Sequence, residues 1–294
     1  MPAPQCLQAM KKGMVIIMKN TTKTISRIVN SIIALAVAFI ALFPLLWMVL
    51  ASFKNKKEVL AVPLKILPKV WSMENFKTVF EDGTMAYARS IFVTMLVAVI
   101  AVVLSLLINM MAGYVFARMN FYFKKFLWIY CIISMYIPGM TILLTSYLVV
   151  HRLGMLDTLA VLILPGVVSG YNIFFFRQFF LNLPLSLEEA AMIDGAGRIK
   201  IFFRIFIPLS KSPMVVLGAG TFIGYWNSFL WPSMTITQPK YMQIMQIIRS
   251  LKSVYSTNYG AIMAGTAIAV IPPIVLFFIF QKHIVKGVVL SGLK

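Results

Sequence analysis

The fold class that this 294-residue sequence predicts is all-α, with six helices crossing a membrane, and three observations predict it. Hydrophobic residues make up 61% of the chain and charged residues only 12%, far from the balance of a water-soluble domain. Six stretches of 19 to 29 residues carry no charge, and a helix needs about 20 mostly apolar residues to cross the hydrocarbon layer. All eight acidic residues lie outside those stretches. Continuous apolar runs mean helices, because lipid offers no partner to backbone N–H and C=O, whereas barrel strands would alternate at about ten-residue spacing.

The N-terminal tail, 1–27, carries Lys11, Lys12, Lys19, Lys23 and Arg27 with no acid, which places it in the cytoplasm by the positive-inside rule. Six crossings return the C-terminal tail, 283–294, to the same side and leave 28–282 as the transmembrane domain. On that topology 16 Lys and Arg lie inside and 11 outside. The first span, 31–53, contains Pro44, and a mixed-charge segment of loop and short surface helices follows it. The second, 91–115, leads into a short basic loop with Arg118, Lys124 and Lys125. The third, 126–150, is interrupted by Ile137-Pro138-Gly139, and a tight outer turn joins it to the fourth, 159–180, with Pro165 and Gly166 near its start. The fifth is 213–234, then an outer loop with helical character, and the sixth, 259–280, holds Pro272 and Pro273. Prolines in five of the six spans are tolerated where neighbouring helices re-satisfy the freed carbonyls. Gly166-x-x-x-Gly170 and Gly220-x-x-x-Gly224 would let backbones approach closely.

Composition also excludes functions. A net charge of +19 could suggest nucleic acid, but its carriers flank hydrophobic spans, so anionic membrane lipid is the better partner. Cys6, Cys131, His151 and His283 are isolated and give no disulfide framework, metal site or catalytic base. Ion-coupled carriers place Asp, Glu or His at mid-membrane depth, and none of the acids is there. The dipeptide Gly-Lys never occurs, so a Walker A loop is absent and the chain binds no nucleotide cofactor of its own. Energy must come from a partner.

Three of the eight acids, Glu188, Glu189 and Asp194, crowd into the segment between spans four and five. Ser186 and Glu189 have the spacing of a capping box, with each side chain reaching the other's backbone N–H. Ala190, Ala191, Gly195, Ala196 and Gly197 give one edge that another surface can approach to backbone distance, ending in a Gly-rich turn. A second, amphipathic helix follows, with Ile199, Phe202, Phe203 and Phe206 on one face, and Pro208 ends it.

Glu189-Ala190-Ala191, three residues, Gly195, nine residues, then Ile205-Phe206-Ile207-Pro208 resembles the EAA signature of the permease subunits of binding-protein-dependent ABC importers. Tyr136 to Gly139, Asn172 to Phe180, Tyr225 to Pro232 and the tail from Lys286 resemble the carbohydrate-uptake branch, similar to the smaller permease of maltose importers. Ser228 stands where that branch commonly has an acid, and the tail ends in Lys294 without the usual final glycine. The resemblance implies that residues 184–210 form a cytoplasmic coupling loop whose helix seats in an ATPase subunit, through Glu189, Ala190, Ala191, Asp194, Gly195 and Gly197. It also implies a second, different permease subunit, two ATP-binding cassette subunits that hydrolyse the ATP, and an extracytoplasmic solute-binding protein, all at the cell's inner membrane. The loop 238–258 would reach into the binding protein, and the C-terminal tail would touch the ATPases.

Asn172, Tyr225, Trp226 and Asn227 are the candidates for lining a sugar path, since sugars are bound by hydrogen bonds plus an aromatic face. The same residues suit interhelical hydrogen bonding or an interfacial aromatic belt equally well. A permease for glycerol phosphate or another polar organic solute is the alternative within transport. An intramembrane enzyme lacks an acid–base pair in the spans, and a passive channel has no need of the acidic turn.

Overall fold

The computed structural model describes the backbone of residues 3–63, 65–81, 87–254 and 258–292. Side chains are described from residue 25 to 282, apart from 64, 81–86, 253 and 255–257. Cys6, His283 and the ATPase contact expected of the C-terminal tail therefore lie outside the described residues. All regular structure among the described residues is helical. In chain order the helices are α1 (Ala3–Ser52), α2 (Lys56–Val59), α3 (Glu74–Glu81), α4 (Tyr87–Arg118), α5 (Lys124–Ser134), α6 (Gly139–Arg152), α7 (Leu159–Ile163) and α8 (Gly170–Leu181). Then come α9 (Ser186–Ile193), α10 (Arg198–Ile201), α11 (Ile207–Leu209), α12 (Lys211–Trp226), α13 (Leu230–Thr235), α14 (Ile244–Val254) and α15 (Tyr259–Gly292).

Three helices are unbroken and apolar enough to cross a membrane, Ile25–Ser52, Tyr87–Arg118 and Tyr259–Lys282, and three bent pairs raise the number to as many as six. The central one is α4. Its buried positions, from Tyr87 through Ser90, Thr94, Val97, Ala101, Ser105 and Asn109 to Gly113, recur every three or four residues and form one stripe along its length. Large apolar residues such as Phe92, Val99 and Val103 face outward, as lipid rather than water requires. At Gly113 the chain of α8 comes so close that an added Cβ would lie 2.7 Å from the Phe176 Cβ and 3.0 Å from the Arg177 N.

The prolines break the spans more deeply than the sequence suggests. Span three is two helices, α5 and α6, bent by 107°. Pro138 gives no N–H to the preceding turn and forces Ile137 out of the helical region, so α6 starts afresh behind it. Span four is α7, a 3-10 turn at Leu164–Gly166 and α8, bent by 47°. Span five ends at Trp226, short of the expected 234. The chain unwinds at 227–229 and restarts as α13, with Pro232 in its first turn, where a missing N–H costs nothing. Gly220 and Gly224, expected at a close helix contact, meet nothing within 4 Å, whereas Gly166 and Gly170 do meet neighbours, Tyr225 and the α5 backbone.

Broken helices in lipid must have their freed backbone groups satisfied from elsewhere. Asn109, fully buried in α4, does this for span four: its Nδ2 donates to the Val167 carbonyl at 2.8 Å and its Oδ1 accepts the Ser169 N–H at 2.8 Å. Ser169 then caps α8 by accepting the Asn172 N–H. At the opposite end of the bundle, Thr94 accepts the Ile244 N–H at 2.8 Å, and Trp226 donates through Nε1 to Ala269 at 3.1 Å. These bonds tie α14 and α15 to α4 and α12.

The tight turn between α6 and α7 is pinned by Asp157, at φ 55, whose carboxylate accepts the Thr237 N–H at 2.6 Å, the Thr237 hydroxyl at 2.7 Å and the Gln238 N–H at 2.8 Å. Those donors hold its carboxyl below the usual carboxylate range. A depressed folded-state value stabilises the fold above the ordinary carboxylate pKa of about 3.9 and loses that contribution as pH falls through the lowered value. Asp157→Asn, which keeps the left-handed backbone accessible, is expected to lower the unfolding temperature at neutral pH, with the gap to the parent closing progressively below about pH 4; thermal unfolding in detergent across that range checks it.

Candidate functional site

Helix α9 starts one residue earlier than a capping box requires. Leu185 has helical backbone angles and no side-chain cap is made; the N–H groups of Glu188 and Glu189 bond instead to the Leu185 carbonyl at 2.9 and 3.1 Å. Ser186 is thus inside the first turn and not at the N-cap position, and the expected box does not form. At the other end the Gly-rich turn behaves as expected. Gly195 sits at φ +77, the Ala196 N–H bonds to the Ala191 carbonyl at 2.9 Å, and the Gly195 N–H to the Met192 carbonyl at 3.0 Å. This is a Schellman closure, which only a residue free in the left-handed region makes without strain.

The two acids of the first turn have opposite fates. Glu189 is exposed, while Glu188 is buried and points into the bundle. Its Oε1 accepts the Tyr114 hydroxyl at 3.2 Å and its Oε2 lies 3.8 Å from the Arg118 Nε. The Arg118 guanidinium, at the last turn of α4, also donates through Nη2 to the carbonyls of Phe180 and Leu183, each at 2.6 Å. The Phe180 carbonyl, in the last turn of α8, also accepts the Leu183 N–H at 3.2 Å, and the Leu183 carbonyl lies two residues past the helix end. One cation therefore caps α8, ends α4 and neutralises α9. Around it pack Phe180, Phe202 and Phe206, all within 3% of full burial, against the Tyr114 ring.

The amphipathic segment after the turn is split differently from the expected face. Ile201, Phe202 and Phe206 are buried, but Ile199 is 76% and Phe203 49% exposed. A π-turn at Phe202–Phe206 changes the period, because Pro208 has no N–H to return to the Arg204 carbonyl. The helix continues through Pro208 to Leu209 and then bends by 79° into α12.

Of the turn residues, Glu189, Ala190, Asp194, Gly195 and Gly197 are exposed and Ala191 is half-buried against the aromatic cluster. A Cβ at Gly195 or Gly197 would meet nothing within 4 Å among the described residues. Between the broken spans lies a cavity of ≈ 700 Å³, lined by uncharged residues that include Ser105, Ser169, Asn172, Thr221, Tyr225 and Trp231. The Tyr225 hydroxyl and the Trp231 Nε1 are spent on the carbonyls of Ile163 and Val161, both at 2.8 Å, which fixes their rings at the wall. Gly220 and Gly224 widen the cavity. Trp226 is 2% exposed in the core behind it, and Asn227 is exposed at the end of α12. Among the described residues no three His, Cys, Asp or Glu side chains gather as a metal site would need.

Residues 109–290 match the family of binding-protein-dependent transport system inner membrane components. The chain belongs to this family.

The permease is 31% identical over 276 residues to the arabinooligosaccharide transport system permease protein of Bacillus subtilis, covering 92% of this chain and 97% of that one. It is 29% identical over 274 residues to the sn-glycerol-3-phosphate transport system permease protein of Brucella melitensis, covering 91% and 97%. Its fold matches a chain of a bacterial ABC transporter that imports the acidic polysaccharide alginate, with a TM-score of 0.78 at 21% identity over 89% of this chain and 97% of that one. Like those relatives, the permease is a transport protein and not an enzyme.

Sequence reading passed over Arg118, Tyr114 and Glu188 as partners, because 70 residues separate the guanidinium from the carboxylate. It also missed Gln243, which lines the cavity at 1% exposure with its Oε1 unpartnered among the described residues. Removing one partner of a buried ion pair typically costs 3–5 kcal/mol because the other charge is left uncompensated. Glu188→Leu is therefore expected to destabilise the permease by about 3 kcal/mol, and Arg118→Met/Glu188→Leu by clearly less than the sum of the two single changes. A double-mutant cycle on unfolding in detergent measures this.

Proposed function

We propose that this permease is the membrane-spanning subunit of an ATP-driven importer for a neutral sugar or oligosaccharide. Residues 184–210 act as its coupling element on the cytoplasmic side. The observation that carries the reading is the contrast between the two faces of α9. Its inner face is clamped through Glu188 and Ala191, while its outer edge presents Ala190, Gly195 and Gly197, with no described residue within 4 Å of a Cβ at either glycine. Exposed Leu185, Met192, Ile193 and Ile199 surround that edge with apolar surface, as a docking surface for another protein requires. The partner is an ATPase subunit, since no buried acid in the described spans can harness an ion gradient. Two such subunits, a second permease and an extracytoplasmic binding protein complete the machine, with loop 238–258 on the binding-protein side.

The cavity supports a neutral polyhydroxylated solute. Its wall combines hydroxyls and two amides with three aromatic rings and has no charged side chain, which favours a sugar over glycerol phosphate. Asn172 and Tyr225 lie on this path, and Trp226 acts behind it by holding α12 to α15. The unpartnered Gln243 Oε1 supplies an acceptor for a solute hydroxyl.

Gly195→Leu is expected to leave membrane insertion intact while abolishing uptake and stimulation of ATP hydrolysis, because the left-handed turn and the open edge are both lost; retained transport would remove residues 184–210 from the coupling role. Gln243→Leu is expected to keep that stimulation while changing the rank order of sugars taken up, which a competition assay against labelled solute reads.

A further inference from the structure

The loop that joins α4 to α5 holds a cluster used by neither the Arg118 clamp nor the cavity. It turns through Phe123, a non-glycine residue at φ 62, and a pocket of ≈ 550 Å³ opens beside it, between Asn120, Lys124, Lys125, Trp128 and Arg177. Three cations share this pocket. Among the described residues no carboxylate lies within ion-pair distance of any of them. Two of them are held in place: Lys124 Nζ donates to the Met119 carbonyl at 2.7 Å, and the Arg177 guanidinium lies 4.1 Å over the Trp128 ring while its Nε donates to the Phe116 carbonyl. The Arg177 Nη groups and Lys125 have no protein acceptor among the described residues.

The flank of the pocket has a different chemistry. Tyr122, Phe123, Phe126 and Tyr130 are 66 to 85% exposed, and no residue of α5 is buried. Like charges gathered without a counter-ion repel each other and destabilise the fold unless an anion joins them. A free phosphate would satisfy the cations but leave the aromatic flank uncovered. A lipid satisfies both, with a phosphate for the cations and acyl chains for the rings, at the depth where interfacial Tyr and Trp sit.

We propose that this pocket binds the head group of an anionic phospholipid through Lys124, Lys125 and Arg177, with the acyl chains lying along α5. The proposal is independent of the transport reading. The loop begins one residue after Arg118, so the lipid also fixes the chain that leaves the clamp. Charge attraction to an anionic head group contributes at each basic residue near the surface and falls off within a Debye length, so a remote basic pair cannot substitute for this one.

The test is native mass spectrometry of the full-length permease released from nanodiscs containing equal phosphatidylglycerol and phosphatidylcholine. The parent should retain phosphatidylglycerol with about a fivefold preference. Lys124→Gln/Lys125→Gln should abolish that preference at unchanged unfolding temperature, whereas Lys56→Gln/Lys57→Gln, which removes two exposed charges elsewhere, should keep it. An unchanged preference in the first variant, or equal loss in both, overturns the site. Displacement of the lipid by millimolar inorganic phosphate would overturn the lipid assignment in favour of a soluble anion. Loss of ATPase subunits from the assembled complex in the first variant, with lipid retention unaltered, would overturn it in favour of a protein contact.

Discussion

A buried guanidinium between three helix ends sets the stiffness of the part of the bundle that carries residues 184–210. Arg118 donates to the carbonyls of Phe180 and Leu183 at the α8 terminus and supplies the counter-charge for Glu188 on α9. Buried charges are costly unless paired and hydrogen-bonded, so the arrangement has few alternatives of similar energy and resists partial opening. The aromatic packing of Tyr114, Phe180, Phe202 and Phe206 around it adds close contact but no such selectivity of geometry. If residues 184–210 are the coupling element proposed above, a turn rooted this way would pass displacement to α4 and α8 together instead of bending at its own base.

The cavity follows from the same economy of polar groups. Prolines at 138, 165 and 232 interrupt three spans, and each interruption frees backbone groups that lipid cannot satisfy. Asn109 and Ser169 answer for span four, Tyr225 and Trp231 for the last turn of α7. Three of the side chains recruited for this repair, Ser169, Tyr225 and Trp231, also line the space between the broken spans. Polarity at mid-bundle is thus structural first and available to a solute second, with Gln243 the member whose acceptor the protein itself leaves unused.

The helical class and the rough places of the long apolar helices and bent pairs were legible in the sequence, because apolar length is a direct consequence of bilayer thickness. The Gly195 turn was legible for an equally local reason: a left-handed terminus selects glycine. What stayed hidden depends on contacts between distant segments. Nothing near Arg118 in sequence announces Glu188, and Asn109 reads as a polar blemish in an apolar window until the break in span four is seen opposite it. The capping box failed because its spacing does not say where the helix starts, and the amphipathic face failed because a π-turn shifts the period midway. Trp226 shows the limit of residue-type reasoning, since a buried aromatic with a satisfied N–H suits a core and a binding wall alike.

The Arg118 clamp requires the turn and the end of α4 that carries Arg118 to move as one body. Spin labels at Ile193, 86% exposed on the turn, and Met111, on the outer face of α4, would report their separation in the assembled importer by pulsed electron paramagnetic resonance. The clamp predicts the same distance distribution with and without ATP, while a pair spanning the cavity mouth changes. A nucleotide-dependent shift between Ile193 and Met111 would mean that the turn flexes at its root and that the clamp does not hold it rigid.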